Sequence, residues 1–252
     1  SIRGRYSTSR FRKIVSINRV FDAMNLHILS SRIEFPHPEL ADEDGLLAIG
    51  GDLCPERLIE AYQNGIFPWY SEGQPILWFS PDPRMILYPK NFKRSKSLGR
   101  VLRSGRFELR IDTNFEAVIR ACSATPRPGQ DGTWIIEDMI QAYLELHRLG
   151  IAHSFETYRD DNLVGGLYGL SLGGAFFGES MFHHCPDASK FAFANLVSFA
   201  QQNDFHFIDA QTPTEHLESL GAERLGRELF LQQLEQALKP NSLIGSWTQA
   251  LQ

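Results

Sequence analysis

The chain has 252 residues, is 42% hydrophobic and carries a net charge of -5. That length fits one large domain or two modest ones, and the mild acidity excludes a protein that binds polyanions over its whole surface. No apolar run approaches the ~20 residues of a membrane-spanning helix, and the basic start S-I-R-G-R-Y-S-T-S-R-F-R-K lacks the apolar stretch of a secretory signal. Three cysteines, Cys54, Cys122 and Cys185, form no C-x-x-C pair. An odd count without such spacing argues against a disulfide framework or a zinc ribbon and points to a reducing cytoplasm.

In chain order, residues 1–30 read as polar and poorly ordered, with 1–23 a dispensable basic extension and the working chain starting at Met24. Residues 35–53 are rich in turn formers and hold one short apolar run. Pro55 suits a first helical position, Leu58, Ile59 and Tyr62 make one face, and Gly65 ends that helix. The span G-I-F-P-W-Y to W-F-S-P-D-P-R reads as a rigid, non-repetitive surface, with a domain boundary near Asp82. Strands are expected at 84–89 and 106–111. Thr113 and Glu116 have capping-box spacing before Phe115, Val118, Ile119 and Cys122, an amphipathic set. A second helix is predicted over 137–149, with Met139, Ile140, Tyr143 and Leu144 inward. Strands at 152–158, 163–171 and 175–182 follow, separated by R-D-D-N and L-G-G turns. Asp187 is placed to cap a helix with Phe191, Ala194, Leu196, Val197 and Ala200 inside. F-H-F-I-D is a strand, a short helix ends at Gly221, and the last helix covers 227–238. The class is α+β or α/β: a mixed sheet with helices on both faces.

Several clusters carry chemistry. In F-I-D-A-Q, residues 207–211, period-two alternation puts Phe207, Asp209 and Gln211 on one strand face. Glu179 lies in the otherwise apolar G-E-S-M-F, where a buried carboxylate needs a partner; with Asp209 it could form an acidic pocket for a cation. Between Lys90 and Arg110 stand eight basic residues opposed only by Glu108. A solvated helix face and a phosphate-contacting surface both fit that tract. Trp69, Trp78 and Trp134 adjoin Gly or Pro loops and suit either core filling or stacking on bases. H-H-C at 183–185 is poorly spaced for one metal, because consecutive strand residues point to opposite sides. No glycine-rich nucleotide loop is present, nor the R-x-x-G-x-G/A turn that holds the pyrophosphate of acyl-CoA.

Seven segments in this order, G-L-L-A-I-G-G-D-L, G-I-F-P-W-Y, W-F-S-P-D-P-R, G-T-W-I, G-E-S-M-F, A-S-K and F-I-D-A-Q with S-L-G-A downstream, resemble leucyl/phenylalanyl-tRNA–protein transferases, from about Met24 onward. The resemblance implies an α+β protein: a small N-terminal domain over 24–82 and an acyltransferase domain of GNAT-like fold over 83–252. It implies transfer of Leu or Phe from an aminoacyl-tRNA to proteins with N-terminal Arg or Lys, marking them for degradation. Trp69 and Trp134 match positions at the site for the terminal aminoacyl-adenosine. Tyr143, Leu167, Phe176, Leu196 and Ile208 match the neighbourhood of the side-chain pocket. Leu167 stands where the family often has Met, and Leu196 where it often has an aromatic. Asp209, Gln211 and Glu179 match the polar centre, and Lys93, Arg94, Lys96, Arg100 and Arg103 the tRNA-facing region. The expected protein is a cytoplasmic monomer with no metal, cofactor or membrane partner.

Overall fold

Short apolar runs bounded by turn residues become strands wherever a neighbour can complete their hydrogen bonds. The computed structural model, which describes residues 26–125 and 135–248, gathers them into two sheets. The first contains β1 (His27–Leu29), β2 (Leu46–Gly50), β3 (Phe67–Pro68) and β4 (Leu77–Phe79), in the order β1-β2-β4-β3. The second contains β5 (Arg84–Leu87), β6 (Glu108–Ile111), β7 (Ala152–Arg159), β8 (Asn162–Leu172), β9 (Ala175–His183), β10 (Phe207–Asp209) and β11 (Glu223–Leu225). Its order is β11-β5-β10-β9-β8-β7-β6, and β9 and β10 run parallel while the other neighbours are antiparallel. The architecture is α+β, with mixed sheets and helices.

The helices are α1 (Pro55–Gln63), α2 (Lys96–Arg103), α3 (Phe115–Ala124), α4 (Glu137–Arg148), α5 (Ala188–Gln202), α6 (Glu215–Ser219) and α7 (Arg227–Ala237). Alternation along the strands divides the apolar side chains between two layers. Phe177, Phe207, Ile86 and Tyr168 face a layer built from α1, α3, α4 and α7, which also takes Trp78 of the small sheet. Phe176, Ile208, Leu87 and Leu167 face α5 and Trp247. Each fully buried Leu or Phe contributes about 1.5–3 kcal/mol, so both layers matter to stability. Gly65 ends the turn after α1 at φ +72°, and a Cβ there would lie 2.8 Å from the Phe230 ring of α7. Only glycine lets α1 and α7 approach so closely.

Local differences from the sequence expectations have local causes. The stretch before residue 30 is not wholly irregular: His27–Leu29 pairs parallel with Ala48–Gly50. Arg57 holds that segment down by donating to the carbonyls of Ser30 and Arg32 and to Asp52. The aromatic and proline-rich span contains β3 and β4, too short for a periodic signal. Asn114, not Thr113, caps α3, accepting from the Ala117 amide. Thr113 gives both its amide and its hydroxyl to the buried Glu156 instead. Asp187 occupies the cap position of α5 in a left-handed conformation but makes no side-chain cap bond.

Candidate active site

The parallel pair β9 and β10 is short. It covers Phe207–Asp209 against Ala175–Phe177, while β9 continues to His183. Beyond Asp209 the chain turns away: Gln211 adopts φ 62° and Thr214 caps α6 through the Leu217 amide. The gap between these diverging segments is where the site lies. On its other edge β9 pairs with β8, and the register shifts there, with Tyr168 opposite Ser180 and Gly169 opposite Gly178. Glu179 is therefore the extra residue of a β-bulge, a device that re-aims a side chain. Phe177 and Phe182 reach the same apolar layer across it although their positions differ in parity.

Two buried carboxylates meet at this point. Asp209 is sealed from solvent and bound side-on by Arg84: Nε lies 3.0 Å from Oδ1 and Nη2 2.7 Å from Oδ2. Its Oδ1 also accepts from the Gln211 amide at 2.8 Å, which holds the left-handed turn. Arg84 donates further to the Gly65 carbonyl, and its guanidinium lies between the rings of Phe67 and Phe230. Glu179 has neutral partners. Its Oε1 accepts from the Tyr62 hydroxyl at 2.7 Å and from Gln211 Nε2 at 2.8 Å, and its Oε2 lies 3.2 Å from the Tyr143 hydroxyl. The two phenol oxygens also hydrogen-bond to each other. Burial raises the Glu179 pKa to about 7, against the pull of the two tyrosine hydrogen bonds. Both phenols are held well above the ordinary tyrosine value, first by burial and then by the Glu179 charge, and stay protonated.

A cavity of about 430 Å³ opens beside this centre. Leu167, Phe193, Leu196, Ile208 and Leu217 give it an apolar side, while Glu179, Asp209 and Gln211 give it a polar side. Phe67, Pro68 and Trp69 of the small sheet reach its edge. Trp69 is 39% exposed and packs at a tilt against Phe79, so its indole is available to a ligand. Of the sequence-predicted pocket residues, Leu167, Leu196 and Ile208 line the cavity. Phe176 does not; it packs behind the wall against Phe155 and Trp247. Tyr143 is likewise buried and reaches the site only through its hydroxyl. Trp134 lies outside the described residues.

Asp209 and Gln211 do not follow the expected strand alternation. The strand stops at Asp209, and the backbone turn, not the pleat, brings Gln211 to Glu179. Sequence reasoning misses Arg84 and Tyr62. The Arg of P-D-P-R before the apolar M-I-L-Y is the available signal for Arg84; Tyr62 looks like any core residue of α1.

Lys93, Arg94, Lys96, Arg100 and Arg103 are exposed along α2 and the segment before it, and none makes an ion pair among the described residues. Ser95 caps α2 by accepting from the Leu98 amide. Among the described residues no cluster of His, Cys, Asp and Glu could hold a metal, and no helix is long and apolar enough to cross a membrane.

An apolar cavity that ends on proton-handling groups, in a mixed-sheet α+β frame, defines a class: an enzyme that holds a small apolar group while its reactive end meets acids and amides. Two family models match the chain, leucyl/phenylalanyl-tRNA protein transferase over residues 86–235 and the N-terminal domain of the same transferase over 51–82. Leucyl/phenylalanyl-tRNA–protein transferases from Anaeromyxobacter sp. (strain Fw109-5) and Desulfatibacillum aliphaticivorans are each 54% identical to it, covering 89% of this chain and 95% and 97% of theirs. One from Dechloromonas aromatica is 57% identical over 78% of this chain and 85% of its own. The chain belongs to the leucyl/phenylalanyl-tRNA–protein transferase family and is an aminoacyltransferase. A solved GCN5-related N-acetyltransferase from Kribbella flavida overlaps with 10% identity and a TM-score of 0.34, over 68% of this chain and 61% of that one; so loose an overlap carries no argument.

Proposed function

We propose that this protein transfers Leu, and also Phe, from an aminoacyl-tRNA to the α-amino group of proteins that begin with Arg or Lys, marking them for degradation in the cytoplasm. The observation that carries the reading is the cavity itself: an apolar side formed by Leu167, Phe193, Leu196, Ile208 and Leu217, beside Glu179 and Gln211. In this reading the acyl side chain lies against Leu167, Leu196 and Ile208, and the terminal adenine rests on Trp69. The exposed cations of α2 take the tRNA backbone. The acidic side of the cavity accepts a cationic N-terminal residue. The fold of residues 83–252 is read as GNAT-like, with 24–82 as the small domain that brings Trp69 to the cavity.

An aminoacyl ester is already activated, so positioning and proton transfer remain for the protein to supply. Gln211 is anchored by Glu179 through its Nε2 and can turn its carbonyl to the incoming amine. Asp209, occupied by Arg84, fixes the turn that carries Gln211. An apolar pocket separates Leu from Phe only weakly, since a methylene is worth about 1–3 kcal/mol. The test is transfer of radiolabelled Leu from charged tRNA to a peptide beginning with Arg, beside one beginning with Glu. Label in the Arg peptide alone is expected; tRNA binding without transfer, or equal labelling of both peptides, overturns the reading.

A further inference from the structure

We infer that Glu179 is the group that takes the proton from the acceptor amine, and that Tyr62 and Tyr143 are positioning residues that close a proton-sharing ring around its carboxyl. This assignment rests on the transfer reading above and adds the proton acceptor to it.

Asp209 is a poor candidate for this task. Its oxygens already accept from Arg84 and from the Gln211 amide, and it is fully buried beside a fixed positive charge. Each of its oxygens is thus already engaged by a donor from a neighbouring strand or turn. Glu179 differs in its proton count. Three oxygen–oxygen contacts join Tyr62, Tyr143 and its two carboxyl oxygens. The two phenols bring only two protons, so with an ionised carboxyl one contact lacks a hydrogen. A proton on Oε2 completes the ring: Glu179 donates to Tyr143, Tyr143 to Tyr62, and Tyr62 to Oε1. The site is thus built to receive one proton, and burial without a counterion favours the same state. The groups facing Glu179 are Tyr62 from α1, Tyr143 from α4, Asp209 and Gln211 from the end of β10, and Arg84 from β5, whose positive charge acts against Asp209's negative one. Glu179 lines the cavity, so an amine there can reach it.

The amine arrives as an ammonium, since its ordinary pKa is about 8. One N–H bond breaks and the proton passes to Glu179 Oε2. The freed lone pair attacks the ester carbonyl carbon, and the C–N bond forms. The C–O bond to the ribose then breaks, and the ribose oxygen leaves with a second proton from the same nitrogen. Glu179 later returns its proton to solvent.

Two measurements test this on the whole chain. The protonated carboxyl band of Glu179, identified in pH-difference infrared spectra by its loss in Glu179→Gln, gives its midpoint without any substrate. The pH profile of kcat/KM for transfer to an Arg-initial peptide gives the kinetic midpoint. A rise with the infrared midpoint is expected, levelling off above about pH 8, where the amine, at about its ordinary pKa, arrives already neutral and needs no proton acceptor. In Tyr62→Phe and Tyr143→Phe, each checked for folding by thermal melting, both midpoints should move together. Glu179→Gln should move the rising limb up to the amine's own pKa of about 8. A rising limb that stays fixed while the infrared midpoint moves, or one left in place by Glu179→Gln, overturns the assignment. No transfer by the wild-type chain at any pH overturns the underlying reading and this inference with it, whereas an infrared midpoint in the ordinary carboxylate range overturns the ring alone.

Discussion

The surroundings of Asp209 and of Glu179 make an informative contrast. Both carboxylates are buried, on adjacent strands and toward the same layer of helices. Asp209 is given a guanidinium, a backbone amide and no solvent. Glu179 is given two phenols and a side-chain amide. A charged partner fixes a charge and makes a joint; neutral donors leave the proton free to come and go. Arg84 shows the first outcome, tying β5, β10 and the turn after α1 together between two phenyl rings. The Glu179 bulge shows the second, placing a titratable group in the wall of a cavity.

The sharpest way to break the contrast is Arg84→Met. It strands a buried carboxylate and should cost about 3–5 kcal/mol in urea unfolding, with Arg84→Met/Asp209→Leu recovering most of the loss. A smaller loss would mean that the pair does not hold the sheet to α1.

Next in size is the pH dependence of stability. Glu179 has a pKa of about 7 in the folded chain against 4.5 when exposed. Below pH 4.5 its stabilising contribution is whole, because both states hold the proton. Through the window up to about 7 the unfolded chain releases a proton that the folded chain keeps, so stability falls as pH rises. The change is on the order of 3 kcal/mol. Glu179→Gln should remove this slope, as read from urea midpoints between about pH 5 and about pH 8.

Trp69→Ala should weaken binding of a 3′-aminoacyl-adenosine analogue by about 1–3 kcal/mol with little change in melting temperature. Single neutralisations of Lys96, Arg100 or Arg103 should have the smallest effect. Each should lower the salt slope of tRNA binding by about 0.7–0.9 for every phosphate that the side chain neutralises, and leave the peptide KM unchanged.

Much of the fold is legible because long elements have strong periods. The three strands from Ala152 to His183 lie within a residue or so of their expected ends, and the buried positions of α5 match its helical spacing. The small sheet is not legible: β3 has two residues and β4 three, too few to show alternation. Thr113 fails as a cap because Glu156, 43 residues away in sequence, competes for its amide and hydroxyl. In the site, Leu167, Leu196, Ile208, Asp209, Gln211 and Glu179 are all named from sequence and do line one cavity. Phe176 and Tyr143 are named for the same pocket but stand behind it.

The sequence by itself determined which side chains could do chemistry and which family they belong to, because motif order and apolar periodicity are written along the chain. Only the tertiary structure decided which acid is clamped by a guanidinium and which is surrounded by neutral donors. That choice depends on Arg84, 125 positions from Asp209, and on Tyr62, 117 positions from Glu179. A carboxyl's proton affinity is set by its burial and by the charges around it, and in this protein those partners come from distant parts of the chain.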